Sequence, residues 1–179
     1  MSWQIDFSHS HIYFTVRHMM ISKVRGGFEK FGGSVNFDEE NPANTTINVE
    51  VDLSSINTRE EQRDGHLKSP DFFDVANYPT MKFIGTRVEQ IDDNNGRLYG
   101  QLTIKDITKE IVLDVDYAGI AKSPWGTESA GFSASGSLNR KDWGLTWNQT
   151  LETGGVLVGD KINIEIELEL VKQAQPETA

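Results

Sequence analysis

The side chains with reactive potential are few: four histidines, a serine between two of them, and several charged pairs. His9 and His11 flank Ser10. On a strand, positions i and i+2 share a face, so these imidazoles would project side by side as a possible metal pair. His18 has the opposite parity, so one strand cannot supply three imidazoles. Ser10 would need a base within reach to act as a nucleophile, and the spacing identifies none. His18, or Arg140 with Asp142, are the groups available for catalysis on a hydrophobic small molecule. The paired carboxylates Glu60/Glu61 and Asp92/Asp93 fall in a helix cap and a turn, where solvation explains them. Cysteine is absent. That excludes disulfides, thiolate metal sites and a cysteine nucleophile. The nucleophile elbow, the P-loop, the dinucleotide glycine fingerprint and His-Glu-x-x-His are also absent. The expectation is no catalytic centre, no metal site and no cofactor.

The elements that would position these groups are strands. From Lys161 to Leu170, Ile162, Ile164, Ile166, Leu168 and Leu170 alternate with charged or polar residues. A strand so patterned has one apolar and one wet face. The same period recurs in Ile12 to His18, Thr45 to Leu53, Arg97 to Lys105, Ile111 to Tyr117 and Ser129 to Leu138. It is weaker in Gly27 to Asp38 and Met81 to Ile91. Glu40-Asn41-Pro42, Asp93-Asn94-Asn95-Gly96, Lys105-Asp106 and Ser123-Pro124-Trp125-Gly126 separate them as turns. Thr58-Arg59-Glu60-Glu61 reads as a capping box, with Thr58 as N-cap, and Pro70 ends the helix it opens. Eight one-faced strands without helical crossovers predict an all-β fold, an antiparallel barrel or sandwich, with the helix across one end or flank. Residues 1–171 form one domain, and 172–179 form a mobile tail.

An eight-stranded barrel either fills with side chains or holds one small ligand. Gly85, Gly100, Ala130, Ala134 and Gly136 fall on inward rows. They either leave room for a ligand or relieve strain at barrel bends. The inward faces are apolar, so a ligand would be apolar too. His18 extends one such face, as a polar contact for a head group or as a core histidine bonded to a carbonyl. The segment from Asn139 to Trp147 would plug a barrel end with Trp143 and Trp147, Arg140 pairing with a carboxylate beneath. Across 179 residues, 17 basic and 27 acidic side chains give a net charge of −10. That argues against nucleic acid and against charge-driven docking on an anionic membrane. No apolar run approaches the ~18 residues of a membrane span. The N-terminus lacks the basic and apolar regions of a signal peptide. The expected location is cytoplasmic as written, or periplasmic if a leader has been removed.

Ordered motifs run along nearly the whole chain, from about Trp3 to Leu170. They include Trp3-x-Ile5-Asp6-x-x-His9-Ser10-x-Ile12-x-Phe14-x-Val16-x-His18 and Val24-x-Gly26-x-Phe28. Others are Arg63-Asp64-x-His66-Leu67, Ser69-x-Asp71-Phe72-Phe73-Asp74, Leu102-Thr103-Ile104 and Asn139-Arg140-x-Asp142-Trp143-Gly144-Leu145. In these the chain resembles the YceI-like family of bacterial lipid-binding proteins. The resemblance implies a lipocalin-like, eight-stranded antiparallel β-barrel with a short helix near one end. It also implies a hydrophobic tunnel for a polyisoprenoid or an isoprenoid quinone tail, with homodimers among the family's members. One departure is Lys105-Asp106, where the family usually carries glycine in the hairpin turn. Inward parity together with the resemblance nominates Ile12, Phe14, Val16, Phe28, Phe83, Leu102, Ile104, Leu113, Phe132, Ala134, Ile164 and Ile166 as tunnel wall. Trp143 and Trp147 would flank an opening, with His18 as a polar contact. The expected function is non-enzymatic transport or sequestration of such a lipid. The alternatives are an enzyme acting on a hydrophobic small molecule and a filled barrel with a structural or interaction role.

Overall fold

The computed structural model describes residues 3–152 and 155–173. The strands are β1 (Gln4–Ile5), β2 (His11–His18), β3 (Ser22–Phe28), β4 (Phe31–Asn36), β5 (Thr46–Asp52), β6 (Ile56–Asn57), β7 (Thr80–Gln90), β8 (Asn95–Ile104), β9 (Ile107–Lys122), β10 (Thr127–Asn139) and β11 (Val158–Gln173). One helix, α1 (Glu61–Lys68), lies between β6 and β7, and short 3-10 turns sit at Phe7–His9 and Arg140–Trp143. All strand pairs are antiparallel, in the order β4-β5-β7-β8-β9-β10-β11-β2-β3-β6, with β1 on the free length of β11 beyond β2.

The sheet curls into a barrel with the apolar face of its strands turned inward: along β8, Leu98, Leu102 and Ile104 are buried while Arg97 is exposed. The strand count differs from eight. The expected strand over Gly27 to Asp38 breaks at Glu29 and Lys30 into β3 and β4, and β1 and β6 add two-residue pieces. The break marks a seam, because β3 pairs with β2 and β6, whereas β4 pairs only with β5. Across it, Glu29 N–H donates to the Ser55 carbonyl at 3.2 Å and Asp52 N–H to the Lys30 carbonyl at 3.0 Å. Rings cover the rest: Phe7 meets Phe31 edge-on at 5.4 Å, and Trp3 meets Phe37 at 5.8 Å.

Three further differences are local. The N-cap of α1 is Glu60, whose carboxylate accepts from the Gln62 and Arg63 amides at 3.3 and 2.7 Å. Arg59 takes a left-handed backbone (φ +68°), which moves the cap two residues past Thr58. Thr58 is buried and is held instead by Asp64 and Arg63. Lys105 and Asp106 both have positive φ, 52° and 64°, so the glycine-free turn closes a two-residue hairpin. β11 continues to Gln173, so Lys172 belongs to the barrel; its ammonium bonds Glu39 at 2.6 Å and lies 4.7 Å from the Trp3 ring. The remainder of the expected tail, 174–179, lies outside the described residues.

The core falls into three clusters around the interior. One is built on Leu102, Leu113, Trp143 and Phe72, one on Trp3, Val35, Ala130 and Leu170, and one on Phe28, Val51, Leu53 and Ile56.

Candidate functional site: an apolar cavity in the barrel

Small inward residues make room for neighbouring side chains. A Cβ on Gly100 would overlap the ring of Phe83, which occupies that space. On Gly136 it would lie 2.8 Å from Leu113 Cδ2, and on Gly85 3.2 Å from Ile47 Cβ. Neither reading of these glycines in the sequence foresaw this: they are seats for bulky neighbours, so the space left for a ligand lies elsewhere.

That space is a cavity of about 350 Å3 along the barrel interior. Ile12, Phe14, Val16, Phe28, Phe83, Leu102, Ile104, Leu113, Phe132, Ala134, Ile164 and Ile166 line it. Further wall comes from Phe31, Val35 and Phe37 beside the seam, Ile47, Val49 and Val51 on β5, and Leu67, Phe72 and Phe73 on and after α1. The β5 residues share the inward parity of their strand. Phe31, Val35 and Phe37 follow the same alternation, blurred by Gly32 and Gly33. The aromatics after α1 carried no periodic signal. One end of the cavity reaches a polar rim at Gln90, Asp92 to Arg97 and Thr45; the other reaches Arg140, Leu145 and Val158.

Three expected contacts lie off this wall. His18 is the last residue of β2, where the pairing with β11 shifts register between Val158 and Ile162, and its half-exposed side chain falls beyond the cavity. Trp143 is 2% exposed and sits in a 3-10 turn with its indole N–H on the Leu102 carbonyl at 3.0 Å, so it closes the barrel end. Trp147 packs against His66 at 4.5 Å and Phe72 at 5.5 Å, at the end of α1.

Arg140 is 2% exposed. It donates to the carbonyls of Leu145 in the connection from β10 to β11 and of Val158 at 3.3 Å and Gly159 at 2.9 Å at the start of β11. The expected carboxylate partner is Asp160, 3.7 Å away. Its Oδ1 has no hydrogen-bond partner. Burial pushes the guanidinium pKa down, and Asp160 opposes that shift. With its N–H groups held by carbonyls, Arg140 is a clamp for the connection. Asp142 is exposed, so the Arg140/Asp142 pair does not converge on the cavity.

His9 and His11 also separate. His9 ends a 3-10 turn and faces Asp6 at 2.8 Å and Glu169 at 3.1 Å, while His11 opens β2 and stacks on Tyr13 at 5.5 Å. Among the described residues, Asp6, His9 and Glu169 are the group whose donor atoms lie close enough for a metal ion, within 4.8 Å of one another. Their mutual bonds also tie the start of the chain to β11. The Ser8 and His9 hydrogen bonds hold the Asp6 carboxyl far below the usual range. Asp6 raises His9, and burial raises Glu169. Ser10 is buried; its hydroxyl donates to the Glu169 carbonyl and accepts from the Glu169 amide at 3.1 Å. It is a β11 contact with no base beside it.

The model of the YceI-like domain matches residues 3–170. The chain belongs to the YceI-like family. A UPF0312 protein of Staphylococcus aureus strain MSSA476 is 36% identical over 169 residues, covering 94% of this chain and 96% of that one. The crystal structure of a Campylobacter jejuni YCEI protein superposes with a TM-score of 0.75 at 35% identity, covering 88% and 90% of the two chains. A polyisoprenoid binding domain from Saccharophagus degradans shares the fold, with a TM-score of 0.69 at 11% identity over 95% and 98%.

Proposed function

We propose that this protein binds one apolar, isoprenoid-type lipid, a polyisoprenoid or the tail of an isoprenoid quinone, and transports or sequesters it without chemical change. The observation that carries the reading is the cavity of about 350 Å3 walled by aliphatic and aromatic side chains. That size is at the lower end for small-molecule sites, so a long chain would leave part of its length at the polar rim. Each buried CH2 contributes about 0.8 kcal/mol before ordering costs. The family adds support, and the polyisoprenoid binding domain of Saccharophagus degradans shows that the fold suits such a ligand there. A binding role without turnover fits the buried Arg140 at the cavity's end, whose N–H groups are held by carbonyls.

The test is native mass spectrometry of the purified protein, followed by organic extraction and reloading with ubiquinone or a polyprenol. A one-to-one complex is expected, and Ala134→Trp, which fills the cavity, is expected to abolish it. Failure of the extracted wild type to take up either lipid would sink the reading.

A further inference from the structure

We propose that the tip of the β2–β3 hairpin docks on an anionic lipid surface. The stretch from Ser10 to Phe28 holds no acidic residue in a chain that has 27, yet it carries Arg17, Lys23 and Arg25. The net charge of −10 averages over this segregation, so the case against membrane docking drawn from it fails locally. Arg17 and Lys23 stand directly opposite each other across the hairpin. Like charges in that position repel. Among the described residues neither is ion-paired; Arg25 reaches Glu165 only at 3.7 Å and stacks over Tyr13. Asp160, on the neighbouring strand, is engaged by Arg140 and by Lys141 at 3.4 Å. The hairpin therefore holds positive charge that its own surroundings do not neutralise.

Between these cations the turn is apolar. Met19, Met20 and Ile21 are 44%, 58% and 83% exposed. Met19 and Met20 both adopt left-handed backbone, φ +54° and +63°, where Asn-Gly would be relaxed and polar. The tip is nevertheless ordered: Met19 N–H donates to the Leu157 carbonyl at 2.8 Å, Ile21 N–H to the His18 carbonyl at 3.3 Å, and Met20 rests on Gly155. Two of the three tip amides, those of Met19 and Ile21, thus have partners before the tip meets a lipid, which lowers the cost of entering an apolar medium. Apolar side chains ringed by Lys and Arg are the chemistry that seats in the headgroup and acyl boundary of an acidic bilayer. Trp125, an apolar ring 87% exposed, sits instead in a turn between Lys122 and Glu128, which pair with each other at 3.7 Å and leave no charge for lipid. The inward face of the same hairpin, Ile12, Phe14, Val16 and Phe28, is cavity wall. Docking by the tip therefore brings the cavity end near Val16 and Val158 next to the membrane.

The experiment is co-sedimentation of the full chain with vesicles of phosphatidylglycerol and phosphatidylcholine, and with phosphatidylcholine alone. Binding is expected on the acidic vesicles. It should fall at least tenfold on neutral ones and when ionic strength rises from about 0.1 M to about 1 M, which shortens the Debye length from ~10 to ~3 Å. The double variant Met20→Ser/Ile21→Ser and the double variant Arg17→Glu/Lys23→Glu should each lose at least tenfold, with thermal unfolding confirming that both are folded. Ala134→Trp should still bind, so docking and cavity occupancy fail separately. The proposal is overturned if wild type ignores acidic vesicles, if it binds neutral ones equally, or if either double variant binds like wild type. It is also overturned if Ile21 proves instead to hold a dimer that Ile21→Ser dissociates without any vesicle binding.

Discussion

At Gly100 the missing side chain is what admits the ring of Phe83. Gly100→Ala should therefore cost about 1–3 kcal/mol by overpacking, read as a lower denaturant midpoint. Gly100→Ala/Phe83→Leu should recover most of it, because the clash is with that ring and not with the strand geometry. Arg140 makes the opposite kind of contribution, by satisfying acceptors. Arg140→Met leaves the Gly159 and Leu145 carbonyls without this donor, while Val158 keeps the Asn148 side-chain amide at 2.7 Å, and a buried acceptor left unpaired costs about 1–3 kcal/mol. A loss of about 3 kcal/mol or more is expected in the same measurement. Lysine should not restore it, since a point charge cannot reproduce the planar fork. Such roles were only half legible in the sequence. Alternation fixes which residues face inward, and so it reached most of the cavity wall on the long strands. It is blind to which neighbour fills a glycine's space, and to whether an arginine near the interior will meet a carboxylate or a set of carbonyls.

Between elements, the contact most open to experiment is the one joining the Phe7–His9 turn to β11. Asp6 raises the pKa of His9, and titration by NMR should place it above 6.5, with Asp6→Asn returning it toward that value. The sign of the linkage follows. A histidine raised in the folded state adds stability that is full below its unfolded pKa and is lost as pH rises through the folded one. Asp6, lowered on folding, adds stability above its usual pKa and loses it as pH falls toward the lowered value. Glu169, raised by burial, works against the folded state once it is charged. The turn should thus be held best on the mildly acidic side of neutrality and loosen on the alkaline side; the protection of the Phe7 to Ser10 amides, measured against their intrinsic exchange rate at each pH, should fall there, and in His9→Ala at every pH. Sequence spacing found His9 but placed it on a strand with His11, because a 3-10 turn of three residues leaves no periodic trace. The cap of α1 was displaced for a similar reason: the left-handed backbone at Arg59 is set by where the chain must go.

For the molecule as a whole, eight alternating runs narrowed the fold to an antiparallel barrel or sandwich, the family resemblance pointed to the barrel, and Lys161 to Leu170 alone argued for strand over helix. The strand count shifted because Glu29 and Lys30 carry no turn chemistry, yet there the chain passes from one edge of the sheet to the other. A cavity is likewise a difference between volumes, and no single row of residues declares it. If that cavity takes a lipid, binding must raise thermal stability. At a hundredfold excess over Kd the gain is about 2.7 kcal/mol, or roughly 5–10 °C for a chain of this length. Saturating polyprenol should shift the melt by that much in wild type and not in Ala134→Trp. The seam between β3 and β4 bears on which lipids can enter. A wall hydrogen-bonded all the way round has a fixed girth, because changing it means sliding whole ladders. This wall is cut, and most of the cut is bridged by rings such as Phe7 on Phe31 and Trp3 on Phe37. Rings slip past one another with little loss of contact, so the circumference can yield while every ladder stays intact. A lipid held in this barrel would sit in a spring clip rather than a pipe, and slender and branched chains are both expected to fit one set of side chains.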